Sequence, residues 1–244
     1  MRYTATMPTL QDVQLSAEEW QNIVAELTNY SRSKRWKDFA WHASRMSILA
    51  PLQFRQIEIT DSDWDGLVGD LSKAEERGDW DGVAVRLAHM KMIDPARGVI
   101  LVVPEDLWTA MLDELMRLRA AKNWEEFIAH AHHLHFADPD RYHSGLITDE
   151  DWLEVIRAIQ KQKDAGDWDK VARLCAYLIG VDPSRASQTP MLTDTEWNNL
   201  FVALEAARQQ GYWSAFTAQA SRIKVLLTAA QRQPVELTGV PAYQ

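Results

Sequence analysis

Two series of tryptophans constrain this chain more than any other feature. Trp20, Trp64, Trp108, Trp152 and Trp197 are spaced 44, 44, 44 and 45 residues apart. Trp36, Trp80, Trp124, Trp168 and Trp213 repeat those spacings sixteen residues further on, and only Trp41 falls outside both series. A large side chain returning at a fixed long period marks a repeated supersecondary unit. The register divides the 244 residues into repeats at 15–58, 59–102, 103–146, 147–191 and 192–227, after an N-terminal arm at 1–14. Leu237-Thr238 lies 45 residues beyond Leu192-Thr193, but Ala242 takes the Trp place, so 228–244 is expected to be a C-terminal cap or a truncated sixth repeat.

Each repeat reads as two helices. Ser16, Thr60, Thr148 and Thr193 stand where a first helix begins, with Pro104 in the third repeat. A hydroxyl there can accept from backbone N–H groups that the first turn leaves unpaired. Three residues on, Glu19, Asp63, Asp151 and Glu196 complete a capping box, and Leu15, Ile59, Val103, Ile147 and Leu192 precede the caps as staples against the first Trp series. Gly78, Gly166 and Gly211, with Lys34 and Lys122 at the equivalent places, mark the turn into a second helix. Asp79, Asn123 and Asp167 are its expected caps. The helix runs into Ala50-Pro51, Asp94-Pro95, Asp138-Pro139 or Asp182-Pro183, where proline ends it. Arg97, Arg141 and Arg185 follow two residues later, expected as structural arginines paired with a neighbouring Asp or a helix C-terminus.

The alternation of helix, short turn, helix and proline loop predicts an all-α fold, a right-handed α-solenoid of five helical hairpins. It resembles the α-solenoid class that includes tetratricopeptide, HEAT and armadillo repeats, over residues 15–227. The period lies nearer the HEAT and armadillo lengths, and the tetratricopeptide pattern of Trp, Leu-Gly and Tyr is absent. What the resemblance implies is a binding scaffold with a long partner-facing surface.

That surface is expected on the second helices. Their sixth residue after the opening Trp reads His42, Arg86, His130, Leu174, Gln219, and their ninth reads Arg45, His89, His133, Tyr177, Arg222. Residues three apart share a helix face, so the columns merge into one polar, aromatic and partly basic band. The candidate partner-binding residues are His42, Arg45, Arg86, His89, His130, His133, Tyr177 and Arg222, with Trp41 as a further candidate or a packing residue. In a chain of formal net charge −9, such a band suits a peptide, helix or partner domain of acidic character.

Other chemistries are poorly supplied. His130, His132, His133 and His135 cluster within six residues. His89 can approach His133 across the stack, which raises a metal or ligand site as an alternative, yet no H-E-x-x-H motif is present. His132 and His135 are expected to point elsewhere. Asp61 to Gly66 mimics the start of a calcium loop, but the twelfth place is Ser72 and the register makes the segment helical. Phosphate-binding glycine loops and nucleophile elbows are lacking. Cys175 sits in a small apolar column with Ala43, Leu87, Ala131 and Ala220, as a packing cysteine would. With 26 Lys plus Arg against 35 Asp plus Glu and no basic tract, nucleic acid is not expected as a partner on its own. No run is long and apolar enough for a membrane span. The expectation is a cytoplasmic, non-catalytic scaffold or adaptor without cofactor, the other reading being a structural subunit of a larger, even nucleoprotein, assembly.

Overall fold

The computed structural model describes residues 13–188 and 192–232; most of the expected arm at 1–14 and residues 233–244 of the expected cap lie outside them. Among the described residues the chain is all-helical, with twelve α-helices in a repeated pattern. Long helices pair as hairpins: α1 (Ala17–Arg32) with α2 (Trp36–Leu49), and, after the short α3 (Pro51–Phe54), α4 (Asp61–Glu76) with α5 (Trp80–Ile93). Beyond the short α6 (Pro95–Gly98) come α7 (Glu105–Ala120) with α8 (Trp124–Ala137), α9 (Asp149–Ala165) with α10 (Trp168–Val181), and α11 (Asp194–Gln209) with α12 (Trp213–Arg232).

The helices start and stop where side-chain chemistry directs. Ser16, Thr60, Thr148 and Thr193 each form the full capping box with Glu19, Asp63, Asp151 and Glu196. Asp79 and Asp167 cap α5 and α10, accepting from the N–H of Gly82 and Lys170. Asn123 occupies the same place before α8 but makes no side-chain cap bond. All five turns between paired helices contain one left-handed residue: Gly78, Gly166 and Gly211 at φ 65–70°, Lys34 at 55° and Lys122 at 53°. Only glycine occupies this region without steric cost, so the two lysines hold the turn against a local penalty that hairpin packing offsets.

The tryptophans explain the layers. Trp64, Trp108, Trp152 and Trp197 are buried, while Trp20 and the second series pack against the core from its edge. The post-proline arginines cover the first series from above. Arg97 lies 5.5 Å over Trp64, Arg141 6.0 Å over Trp108 and Arg185 4.4 Å over Trp152. Arg97 and Arg141 also pair with the Asp before their own proline, and Arg97, Arg141 and Arg185 reach Asp61, Glu105 and Asp149 in the first turn of the same hairpin. Each arginine thus ties the end of a second helix to the start of the first helix of its hairpin.

Packing between hairpins follows one rule. Every first helix contacts its own second helix and that of the hairpin before it: α4 on α2, α7 on α5, α9 on α8, α11 on α10 and α1 on α12. The second helices touch in the order α2, α5, α8, α10, α12 and back to α2. These contacts run in a circle, and the last hairpin packs against the first. Curvature accumulated over the hairpins brings the ends together. The outer layer is α1, α4, α7, α9 and α11, and the inner layer is the second helices.

Specific side chains repeat across these junctions. Arg119 donates to Asp151 at 2.6 Å and to the Leu146 carbonyl at 2.5 Å, and Lys163 pairs with Glu196 at 3.0 Å. At the closing junction the equivalent residue, Arg208, pairs with Glu19 at 2.7 Å and donates to the Gln14 carbonyl at 3.4 Å. Ser31 donates to Asp63 at the first junction. The second departs from the pattern on both sides, with Glu75 in place of the base and Leu107 in place of the capping acid.

Candidate functional site

Five parallel helices about 9 Å apart set a ring axis roughly 8 Å from each helix axis, a space that single long side chains fill. The band expected on a partner-facing surface points there or between the layers. His42, Arg45, Arg86, His89, His130, His133, Tyr177 and Arg222 are all buried, so the expectation that they form an exposed docking band is corrected. A polar column on an inward helix face reads in sequence like one on a solvated face, which is why the residue pattern misdirects here.

The two columns separate in space. Those six residues past the opening Trp turn back toward the outer layer. His42 Nε2 lies 3.1 Å from the Ile23 carbonyl, His130 Nε2 2.8 Å from that of Met111, and Gln219 donates to Leu200 at 3.4 Å, each bond reaching 19 residues back. Arg86 spends its guanidinium on Asp70 at 2.6 Å and on the Gly82 carbonyl at 2.9 Å. His130 Nδ1 also faces Asp81 at 2.8 Å. These side chains are structural, holding the inner layer to the outer one.

The ninth-residue column faces the axis. The rings of His89 and His133 meet edge to face at 5.7 Å, and His133 meets Tyr177 at the same distance. His132, expected to point away, stacks on Tyr177 at 4.7 Å, while His135 leaves the cluster for Tyr142 at 5.0 Å. Arg222 pairs with Asp169. Arg45, 4% exposed, has no carboxylate within ion-pair distance among the described residues; its neighbour is the Trp41 ring at 5.5 Å. Arg45 Nε, His89 Nε2 and His133 Nδ1 are buried without a hydrogen-bond partner.

A cavity of about 180 Å³ opens among them, lined by Trp41, Arg45, His89, His133, Arg173 and Tyr177, with Asp81, Glu125 and Glu126 also on its wall. Burial, reinforced by the charge of Arg45, holds His89 well below the ordinary histidine value and His132 down at about 3. Burial also depresses His133, with His132 and then Arg45 adding to it. Arg222 is lowered by burial and by repulsion from Arg45 and Arg173, against the pull of Asp169. The axial space therefore sets neutral imidazoles and the guanidinia of Arg45 and Arg173 beside the carboxylates of Asp81, Glu125 and Glu126.

Among the described residues, no group of three or more His, Cys, Asp or Glu side chains is placed to hold a metal ion. His130, turned to Asp81 and Met111, is removed from the His89–His133 pair. Cys175 is buried, and burial pushes its thiol up to about 12, so it carries no thiolate near neutral pH. Asp61 to Gly66 opens α4 as a regular helix.

A second feature went unread in the sequence. In the loop after α6, Val99, Ile100 and Val102 are 78, 74 and 79% exposed, and Leu52 after α2 is 74% exposed. Both loops lie at the same end of the ring, where second helices finish. A groove of about 550 Å³ separates the loops, with Pro51, Phe54, Ile57, Met92 and Pro95 on its walls. The signal was the uncharged run from Gly98 to Pro104, of which only Val103 was assigned, as a staple.

The chain was compared with protein-family models, with curated proteins and with solved structures, and it matches none of them. Among the described residues no helix is long and apolar enough to cross a membrane.

Proposed function

We propose that this protein is a non-catalytic interaction module, a five-repeat α-solenoid wound until its ends meet, that docks another protein on the loop end of its ring. The observation that carries this reading is the exposed triplet Val99, Ile100 and Val102. Contiguous apolar surface rimmed by polar residues marks a place where another molecule excludes water. The groove beside it, which mixes apolar side chains with Ser47, Arg55 and Asp94, offers concave relief for the side chains of a partner segment. The partner's matching surface is apolar rather than acidic, because no charged residue lies between 98 and 104 and the basic residues of the second helices are turned inward. An α-solenoid ordinarily binds along a face, and a ring that places its second helices inside leaves its ends and outer layer for that role.

The test is affinity capture of the full chain beside the variant I100E/V102E, after both are shown to melt alike. A stoichiometric partner held by the wild type and lost from the variant supports the reading. Equal retention by both, or capture of no partner, overturns it. Concentration-dependent self-association that the variant abolishes also overturns it, because the patch would then join copies of this chain.

A further inference from the structure

The ring supplies a comparison for each inward arginine, because equivalent positions recur in every hairpin. Arg222 on α12 reaches back to Asp169, the residue after the opening Trp of the preceding helix, α10. His130 on α8 reaches the equivalent Asp81 on α5. On α8 and α12 a basic group is thus met by the carboxylate that follows the opening Trp of the hairpin before. For Arg45 on α2 the hairpin before is the last one, across the closing junction, and the equivalent residue is Ser214. Ser214 engages the Tyr30 hydroxyl. Arg45 therefore lacks the counterion that its counterpart Arg222 has, although it is the more buried of the two.

A buried guanidinium without an anion has lost its hydration with no charge partner to compensate it. Arg45 also lines the 180 Å³ cavity, which is walled by residues of α2, α5, α8 and α10. Arg173, on the same wall, forms no ion pair among the described residues and adds a second positive charge. Neutral His89 and His133 each present a ring nitrogen without a partner, and a neutral imidazole can place its proton on either nitrogen. The Tyr177 ring completes the wall.

We infer that the axial cavity is a binding site for a small organic monocarboxylate, whose carboxylate group pairs with Arg45 from the cavity side. The guanidinium fork donates two parallel hydrogen bonds to a carboxylate. A volume of about 180 Å³ equals roughly six water molecules at ~30 Å³ each, room for a carboxylate of a few carbons. Asp81, Glu125 and Glu126 on the wall set the upper limit on charge. Asp81 is engaged by His130 and Glu125 accepts from Gln162, but both remain anionic neighbours that disfavour a dianion or a phosphate. The indole of Trp41 and the side chains of Val85 and Ala129 give the ligand's outer carbons an apolar lining. This inference is independent of the loop-end surface, which lies at the other end of the second helices.

The experiment is calorimetric titration, with melting as a second readout, of the full chain in a carboxylate-free chloride buffer. The probes are acetate, propionate and lactate, with inorganic phosphate and added chloride at matched ionic strength. Saturable binding of at least one monocarboxylate, raising the melting temperature above the chloride control, is expected. R45M should weaken that binding at least tenfold. S214D, which supplies from within the chain the acid that position 214 lacks, should also abolish it while melting at or above the wild type. The inference is overturned if no monocarboxylate differs from chloride on the wild type. Binding that survives unchanged in the two variants, or phosphate outcompeting every carboxylate, overturns it as well.

Discussion

The junction between the third and fourth hairpins and the one that closes the ring are built from the same parts. At the first, Arg119 meets the capping acid Asp151 and the Leu146 carbonyl and lies over the Phe127 ring at 5.4 Å. At the second, Arg208 meets Glu19 and the Gln14 carbonyl and lies over Phe216 at 5.0 Å. Residues almost two hundred positions apart in the chain thus reproduce an interface formed between neighbours. Closure is therefore not an accident of two ends drifting together. It uses the same repeated contact, and the first hairpin carries the acid that receives it.

The two junctions differ in what surrounds them. Trp152, beside the third junction, is 1% exposed and covered by Arg185, whereas Trp20, beside the closing one, is partly exposed and Gln53 stands where its arginine would be. Trp152→Ala is expected to cost about 3–5 kcal/mol of unfolding free energy, as large aromatic truncations in a core do. Trp20→Ala should cost clearly less, and equal losses in urea titration would show that the closing side is packed as tightly as the interior.

Acid should then separate the two sides. His89, His132 and His133 stand on the second and third hairpins with folded-state values below the ordinary histidine value of 6.5, and on the closing side burial lowers a single histidine, His42. Above 6.5 they are neutral in both states and contribute no pH dependence. Below it the unfolded chain takes up protons that the folded ring refuses, so stability falls with acidification, by about 1 kcal/mol per pH unit for each histidine, until the folded value is reached. For His132 that window runs from 6.5 to about 3. Hydrogen exchange at pH 5 should accelerate first in α5 and α8, ahead of α12, whose inward charge is an arginine. Uniform acceleration would place the acid-labile groups elsewhere.

The smallest effect is the sharpest test of the comparison itself. Arg119→Ala and Arg208→Ala should each cost about 1–2 kcal/mol, the range for half-buried, charge-assisted hydrogen bonds. If Arg119→Ala destabilises and Arg208→Ala does not, the ring is open in solution at its closing junction.

Much of this architecture is legible in the residues because local chemistry fixes it. Capping boxes, left-handed turn residues and proline stops act within a few positions, so the helix pairs follow from the tryptophan register. Closure does not, since it depends on a small rotation per hairpin summed over the whole chain. One trace of it was nonetheless present: Arg208 in the last repeat stands in register with Arg119 and Lys163, and so has the capping acid of a following hairpin to meet. The inner column was found as a set but placed on the wrong side. His89, His133 and Tyr177 are the same letters whether water or an axial cavity faces them, and only the circle of contacts decides.

The exception at the second junction has a consequence for how such a chain reaches one arrangement. A protein assembled from near-copies is exposed to misassembly, because any hairpin offers roughly the same face to any other. Glu75 and Leu107 work against that exchange. Were the fourth or fifth hairpin to dock after the second, Glu75 would confront Asp151 or Glu196, two like charges at a partly buried contact. Were the third to dock after the fourth or the fifth, Lys163 or Arg208 would face a leucine. The second junction thus marks where the second and third hairpins belong, and exchanging either with another unit by recombination should yield chains that fold poorly even though every unit is intact.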